Sequence, residues 1–214
     1  AGIGVVAVGP QWGEGVTVAL LDSGVLAHPS LHHLNVESLD LVGEEGGQAG
    51  PFAGHATAVA SLLAGTAGGI QGVAPAIDLI SIKVVDSFGV GDAFTLAAGI
   101  VLAVDSGAKV ISMSLGTEVS TPILEDAVAY AVRQGVALVA AAGNDAGNVL
   151  YPAACEGVVA VGAVDADGNR ESYSNGGEAL DIMAPGAGIV AGWVADQNAV
   201  VSGTSAAVPF VSGA

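Results

Sequence analysis

Short apolar runs rich in β-branched residues alternate along this chain with longer apolar stretches of helical period, and few folds accommodate that alternation. Residues 16–22, 78–85, 109–115 and 136–142 read as buried strands. Between them, residues 54–64, 93–104 and 122–134 read as helices. In the last helix Ile123, Leu124, Ala127, Val128, Ala131 and Val132 recur at helical spacing, with Thr121 as N-cap, Pro122 at the first helical position and Gly135 at the end. Strands alternating with helices lie parallel and are joined by right-handed crossovers. The expected fold class is therefore α/β: three α/β/α layers with helices on both faces of a mainly parallel central sheet. Residues 158–165 and 170–174 add a hairpin through the turn Asp167-Gly168-Asn169. At 214 residues the chain is long enough for one domain, 1–214, with a full core, and no repeat, low-complexity tract or linker divides it.

Four polar residues stand where these elements begin or end. Asp22 closes the strand 16–22, at the end where ligands bind in open α/β sheets. His55 opens the helix 54–64, and Asn144 follows the strand 136–142. Ser205 lies in Ser202-Gly203-Thr204-Ser205-Ala206-Ala207-Val208-Pro209. Proline is tolerated in the first turn of a helix and not deeper, so a helix carrying Pro209 should begin at or just before Ser205. A serine there has unpaired helix N–H groups beside it and the positive end of the helix dipole behind it, which suits a nucleophile whose attack creates an oxyanion. Each residue also has a plainer reading. Asp22 could cap the next turn, His55 could simply start a helix, Asn144 could hold a left-handed turn, and Ser205 could be an N-cap.

Taken together, these strings resemble the subtilisin-like serine proteases. Asp22-Ser23-Gly24 is similar to the family's aspartate motif, Gly54-His55-Ala56-Thr57 to its histidine motif and Ala141-Ala142-Gly143-Asn144 to its oxyanion asparagine. Gly203-Thr204-Ser205 with Pro209 is similar to its serine motif, and the order Asp…His…Ser is the family's own. The resemblance extends from Val16 to Ala214 and implies a subtilisin-like fold. It implies a serine endopeptidase in which Ser205 attacks a peptide carbonyl, His55 takes its proton, Asp22 holds the imidazole, and Asn144 binds the oxyanion. It also implies a polypeptide substrate clamped by Gly89, Gly91, Ser114, Leu115 and Gly116. Leu150 falls where the family often has a glycine at the floor of the pocket for the residue before the scissile bond, with Asp145 at its rim. A preference for small or medium residues there is expected, with a secondary tolerance for basic ones. The alternative is an inactive, peptide-binding module on the same fold.

The chain departs from the family pattern at several places. Ala56 and Ala58 replace a glycine and a second histidine of the histidine motif, and Phe210 replaces the histidine after the serine-motif proline. A volume exchange between positions 58 and 210 would account for that pair. Ser30 stands in place of a calcium-ligating aspartate, and the loop between Leu63 and Val73 is short. No cofactor is expected, the usual strong calcium site looks lost, and at most weak calcium binding remains. The chain stops at Ala214, about two turns into the nucleophile's helix, so a C-terminal part of the usual domain is expected to be absent, or supplied separately.

Charge and composition narrow the partners. Twenty-one acidic residues face four basic ones, a net charge of −17, which makes nucleic acid an implausible partner. The excess acid reads either as a solubilising surface or as adaptation to salty or acidic surroundings. The apolar stretch 94–104 is too short to cross a bilayer, so no membrane partner is expected. The chain opens without a signal peptide, which fits a mature secreted or extracytoplasmic form, and a pro-segment is a further possible partner. Cys155 is the only cysteine and excludes an internal disulfide. Gly2-Ile3-Gly4-Val5-Val6-Ala7 mimics a dinucleotide fingerprint without a preceding strand, residues 43–50 read as an acidic, glycine-rich loop, and the run 165–169 reads as a turn rather than a calcium loop.

Overall fold

The computed structural model describes residues 8–43 and 50–214. The glycine run at 2–7 and most of the loop 43–50 therefore lie outside the described residues. Seven parallel strands form one sheet: β1 (Thr17–Asp22), β2 (Val36–Asp40), β3 (Asp78–Lys83), β4 (Val110–Met113), β5 (Ala137–Ala141), β6 (Val158–Val164) and β7 (Ile182–Pro185). Their spatial order is β2-β3-β1-β4-β5-β6-β7. A separate antiparallel pair, β8 (Ile189–Gly192) and β9 (Asn198–Val201), lies beyond it.

The period-two alternation of the strands assigns the layers. Ala19, Leu21, Ile80, Ile82, Ile111, Met113, Leu138 and Ala140 point one way and form a core with α2 (Ala93–Asp105) and α3 (Pro122–Arg133). Val18, Leu20 and Leu79 point the other way, toward α1 (His55–Ala64), and Val139, Ala141 and Val161 pack on α4 (Thr204–Ser212). This is the three-layer α/β/α arrangement expected from the sequence. Among the described residues no helix is long and apolar enough to cross a membrane.

Several local expectations need correction. The edge strand β2 and the short strands β7 to β9 were not foreseen. The predicted hairpin reduces to a turn: Asp165 N–H donates to Asn169 O at 2.9 Å, and one bridge joins Val164 to Arg170. Residues 170–174 form no strand, because the sheet position beside β6 is taken by β7. Thr121 has N-cap backbone geometry, but its hydroxyl caps nothing. Ala58 and Phe210 do not exchange volume. Ala58 packs with Leu62, Ala191 and Ala206 beneath Trp193, whereas Phe210 packs on the core of Val139, Ala163 and Val208.

Candidate active site

Three neighbouring strands bring their C-terminal ends together. Register pairs Leu21 with Met113 and Met113 with Ala140, so Asp22, Ser114 and Ala141 stand at one level on β1, β4 and β5. The chain leaves the sheet at each of these points. Asp22 is 1% exposed and accepts the Ser23 N–H at 2.6 Å. Both its carboxylate oxygens lie 2.9 Å from Nδ1 of His55, at the start of α1. That fixes the proton on Nδ1 and leaves Nε2 as the free acceptor of the neutral ring. Burial of the imidazole acts to lower its pKa, but the charge of Asp22 and its hydrogen bonds together outweigh burial, and the net shift is upward from 6.5. Phe52 stacks on the ring with centroids 4.2 Å apart. Ser23 ties the two motifs further, its hydroxyl donating to Phe52 O and accepting from Ala56 N–H.

Ser205 sits in the first turn of α4, whose N-terminal N–H groups have no intrahelical partner. The helix begins at Thr204, as the proline implied, yet Pro209 lies in its second turn rather than its first. Proline offers no N–H to the carbonyl four residues back, which is that of Ser205. The Ser114 hydroxyl fills the vacancy, donating to Ser205 O at 3.0 Å. In return the Ser205 hydroxyl donates to Ser114 O at 3.2 Å. The nucleophile candidate is thus braced against the end of β4.

Asn144 follows β5 on an exposed loop. Its Oδ1 accepts both the Thr204 N–H at 2.8 Å and the Thr204 hydroxyl at 3.1 Å. With the carbonyl side so occupied, the amide NH₂ is the edge left for a ligand. The Thr204 hydroxyl also accepts Gly143 N–H. These groups border a cleft of about 450 Å³ that Asn144 and Ser205 help to line. Gly89 and Gly91 border it from the loop before α2, and Ser114, Leu115 and Gly116 from the end of β4. Asp145 and Leu150 line it as well, so all seven substrate-binding candidates meet at one cleft. Leu150 lies wedged between two glycines, its Cδ1 only 3.1 Å from where a Gly116 Cβ would be and 2.8 Å from a Gly143 Cβ.

Sequence reasoning missed Phe52, Ser23, Thr204 and Asn175 as parts of this region. Phe52 lies two residues before a recognised motif, and Ser23 and Thr204 each fall inside one. Asn175 stands in no motif.

A sequence profile described as the subtilase family matches residues 13–214. The chain belongs to the subtilase family. This subtilase is 40% identical over 205 residues to subtilisin Savinase of Lederbergia lenta, covering 94% of this chain and 75% of that one. An alkaline protease of Shouchella clausii is also 40% identical over 205 residues, but there the match spans 94% of this chain and 53% of the relative, about half its length. Among solved structures, a mutant of the protease domain of PatA superposes with a TM-score of 0.88 at 32% identity, covering 95% of this chain and 78% of that one. A cold adapted subtilisin-like serine proteinase gives 0.84 at 30% identity, covering 94% and 74%. With this membership the subtilase is a serine endopeptidase.

Calcium does not fit at the turn where the family's aspartate would stand. Ser30 is fully buried and faces inward: its hydroxyl lies 2.8 Å from Nδ1 of His28, and its N–H donates to the same nitrogen. The donor set there is a serine committed to a histidine ring, with no carboxylate to balance a dication. Among the described residues no three His, Cys, Asp or Glu side chains converge as a metal site. Cys155 is half-buried and its thiol pKa is raised, by burial first and by Glu125 second, so it stays protonated.

Proposed function

We propose that this subtilase cleaves polypeptides through Ser205, His55, Asp22 and Asn144. The observation that carries the reading is the buried Asp22 carboxylate holding His55 Nδ1 at the start of α1, a helix packed through Ala58 and Leu62 on Ala206 of α4, whose first turn holds Ser205. Rotation of the Ser205 hydroxyl away from Ser114 O presents its proton to the free imidazole nitrogen. Attack on the scissile carbonyl then forms the acyl-enzyme, and His55 returns the proton to the leaving amine. Asp22 stabilises the imidazolium formed between those steps. The Asn144 NH₂ and the Ser205 N–H supply the donors for the oxyanion. Substrate lies extended in the cleft, with the loop 89–91 and the segment 114–116 offering backbone on either side.

No cofactor enters this chemistry, and calcium is not needed at the 28–30 turn. The setting is extracellular or otherwise extracytoplasmic, consistent with the acidic chain and the subtilisin relatives. Ser205→Ala tests the assignment. The wild type should hydrolyse unfolded protein and react with a serine-directed fluorophosphonate. The variant should not be labelled, and should keep only the residual rate of binding and oxyanion stabilisation, about 10³–10⁴ over water. Undiminished hydrolysis by the variant would overturn the assignment.

A further inference from the structure

The loop 143–148 that carries Asn144 is held from two sides. Thr204 holds it from α4, as described. On the other side it is wrapped around Asn175, which is 1% exposed. The Asn175 Oδ1 accepts the N–H groups of Asp145 and Gly147, each at 2.9 Å. Its Nδ2 donates to Asn148 O at 2.8 Å, and its backbone N–H donates to Gly143 O at 2.9 Å. The residues immediately before and after Asn144 are therefore both bonded to this one asparagine. Two flanking bonds complete the fixture: Ala146 N–H donates to Tyr173 O at 2.9 Å, and Gly176 N–H to Gly147 O at 3.0 Å. Gly143 adopts φ +110°, and a Cβ there would collide with the Asn175 amide. The close approach is built into both positions.

We propose that Asn175 is the positioning residue of the oxyanion arm. It fixes the backbone on both sides of Asn144 so that the NH₂ group waits at the place where charge develops. An oxyanion donor works through preorganisation, because its dipole must not have to reorient as the reaction proceeds. Asn144 itself is exposed, and its side-chain direction follows from the backbone at 143 and 145. No other side-chain type of this size supplies both an acceptor for two N–H groups and a donor for a carbonyl. Alanine would leave two loop N–H groups without their acceptor, and the loop would relax toward water. The proposal rests on Asn144 being the oxyanion donor.

A double-mutant cycle with Asn144→Ala tests both ideas separately, with kcat normalised to active sites titrated to completion. Asn175→Ala should lower kcat by about 10- to 100-fold, the size of effect a misplacement near 1 Å produces, with KM changed less than about twofold. In the Asn144→Ala background the same substitution should lower kcat by less than about threefold, because there is no donor left to position. Asn175→Asp is run in parallel. It keeps an acceptor for both N–H groups but sets a carboxylate oxygen against Asn148 O in place of the donor, so its kcat too should fall with Asn144 present and change little in the Asn144→Ala background. Equal losses in both backgrounds, or a loss confined to KM, would overturn the positioning role while leaving Asn144 in place. An Asn144→Ala enzyme with wild-type kcat would overturn the oxyanion reading and this proposal together.

Discussion

His55 carries two opposed influences whose balance is visible as a pH profile. Burial disfavours the imidazolium, while Asp22 favours it more strongly, so the ring stays charged to a higher pH than a free histidine. A base must be neutral to accept a proton, so kcat/KM should rise with pH through an inflection above 6.5. Asp22→Asn removes both raising influences and leaves burial. The inflection should move down, and kcat should fall by about 10⁴-fold through loss of the correct tautomer. A flat profile between about pH 5 and 9, or an inflection that does not move in Asp22→Asn, would remove His55 from the role of base. Leu150 gives a second test at this scale. Its side chain occupies the space between Gly116 and Gly143 in the cleft that Ser205 also lines. Peptide anilides with Ala or Leu before the scissile bond should be preferred to Phe. Leu150→Gly should raise kcat/KM for Phe about tenfold or more, since forcing excess volume into a filled site costs about 1–3 kcal/mol. A wild type that already prefers Phe would show that the leucine yields.

Elements differ in how clearly the chain announces them. Asp22, His55, Asn144 and Ser205 were legible because each marks the end or start of an element with a strong local signal: a β-branched run, a proline, a helical period. β2 was not, since Val36-Glu37-Ser38-Leu39-Asp40 is an edge strand with only two large apolar residues. β7, β8 and β9 are four residues each and owe their pairing to partners elsewhere in the chain. Asn175 lacked any local signal, because its side-chain hydrogen bonds reach 27 to 30 residues back. The pairing of Ala58 with Phe210 failed for the same reason in reverse: two positions linked by motif are separated by packing. The 28–30 turn is tied down by a buried histidine. His28, 2% exposed, bonds Ser30 through Nδ1 and Gln197 O through Nε2 at 3.1 Å, joining the turn to the connection between β8 and β9. Removal of divalent ions with EDTA should therefore shift Tm by less than about 2 °C, a change below about 1 kcal/mol for a domain of this size. A drop of about 10 °C would reveal a stabilising ion elsewhere.

Over the molecule, several acidic side chains among the described residues are held by backbone N–H groups rather than by cations. Asp92 accepts the Thr95 N–H and hydroxyl at the start of α2, and Asp86 and Asp165 each accept backbone N–H groups of tight turns. These bonds lower the pKa of Asp92 and Asp165. Their contribution is present above the ordinary carboxylate range and is lost as pH falls through the lowered values. Asp86, Asp92 and Asp165 thus serve as caps and turn anchors, a use that net charge alone does not disclose. The sheet order has an effect in time as well as in space. The site gathers residues from positions 22, 55, 144 and 205, and every one of its walls depends on strands distant in sequence. Synthesis runs from the N-terminus, so a growing chain acquires Asp22 and His55 long before it acquires Ser205. On the proposed mechanism the half-made chain, which is the form most easily digested, exists only while it still lacks a nucleophile.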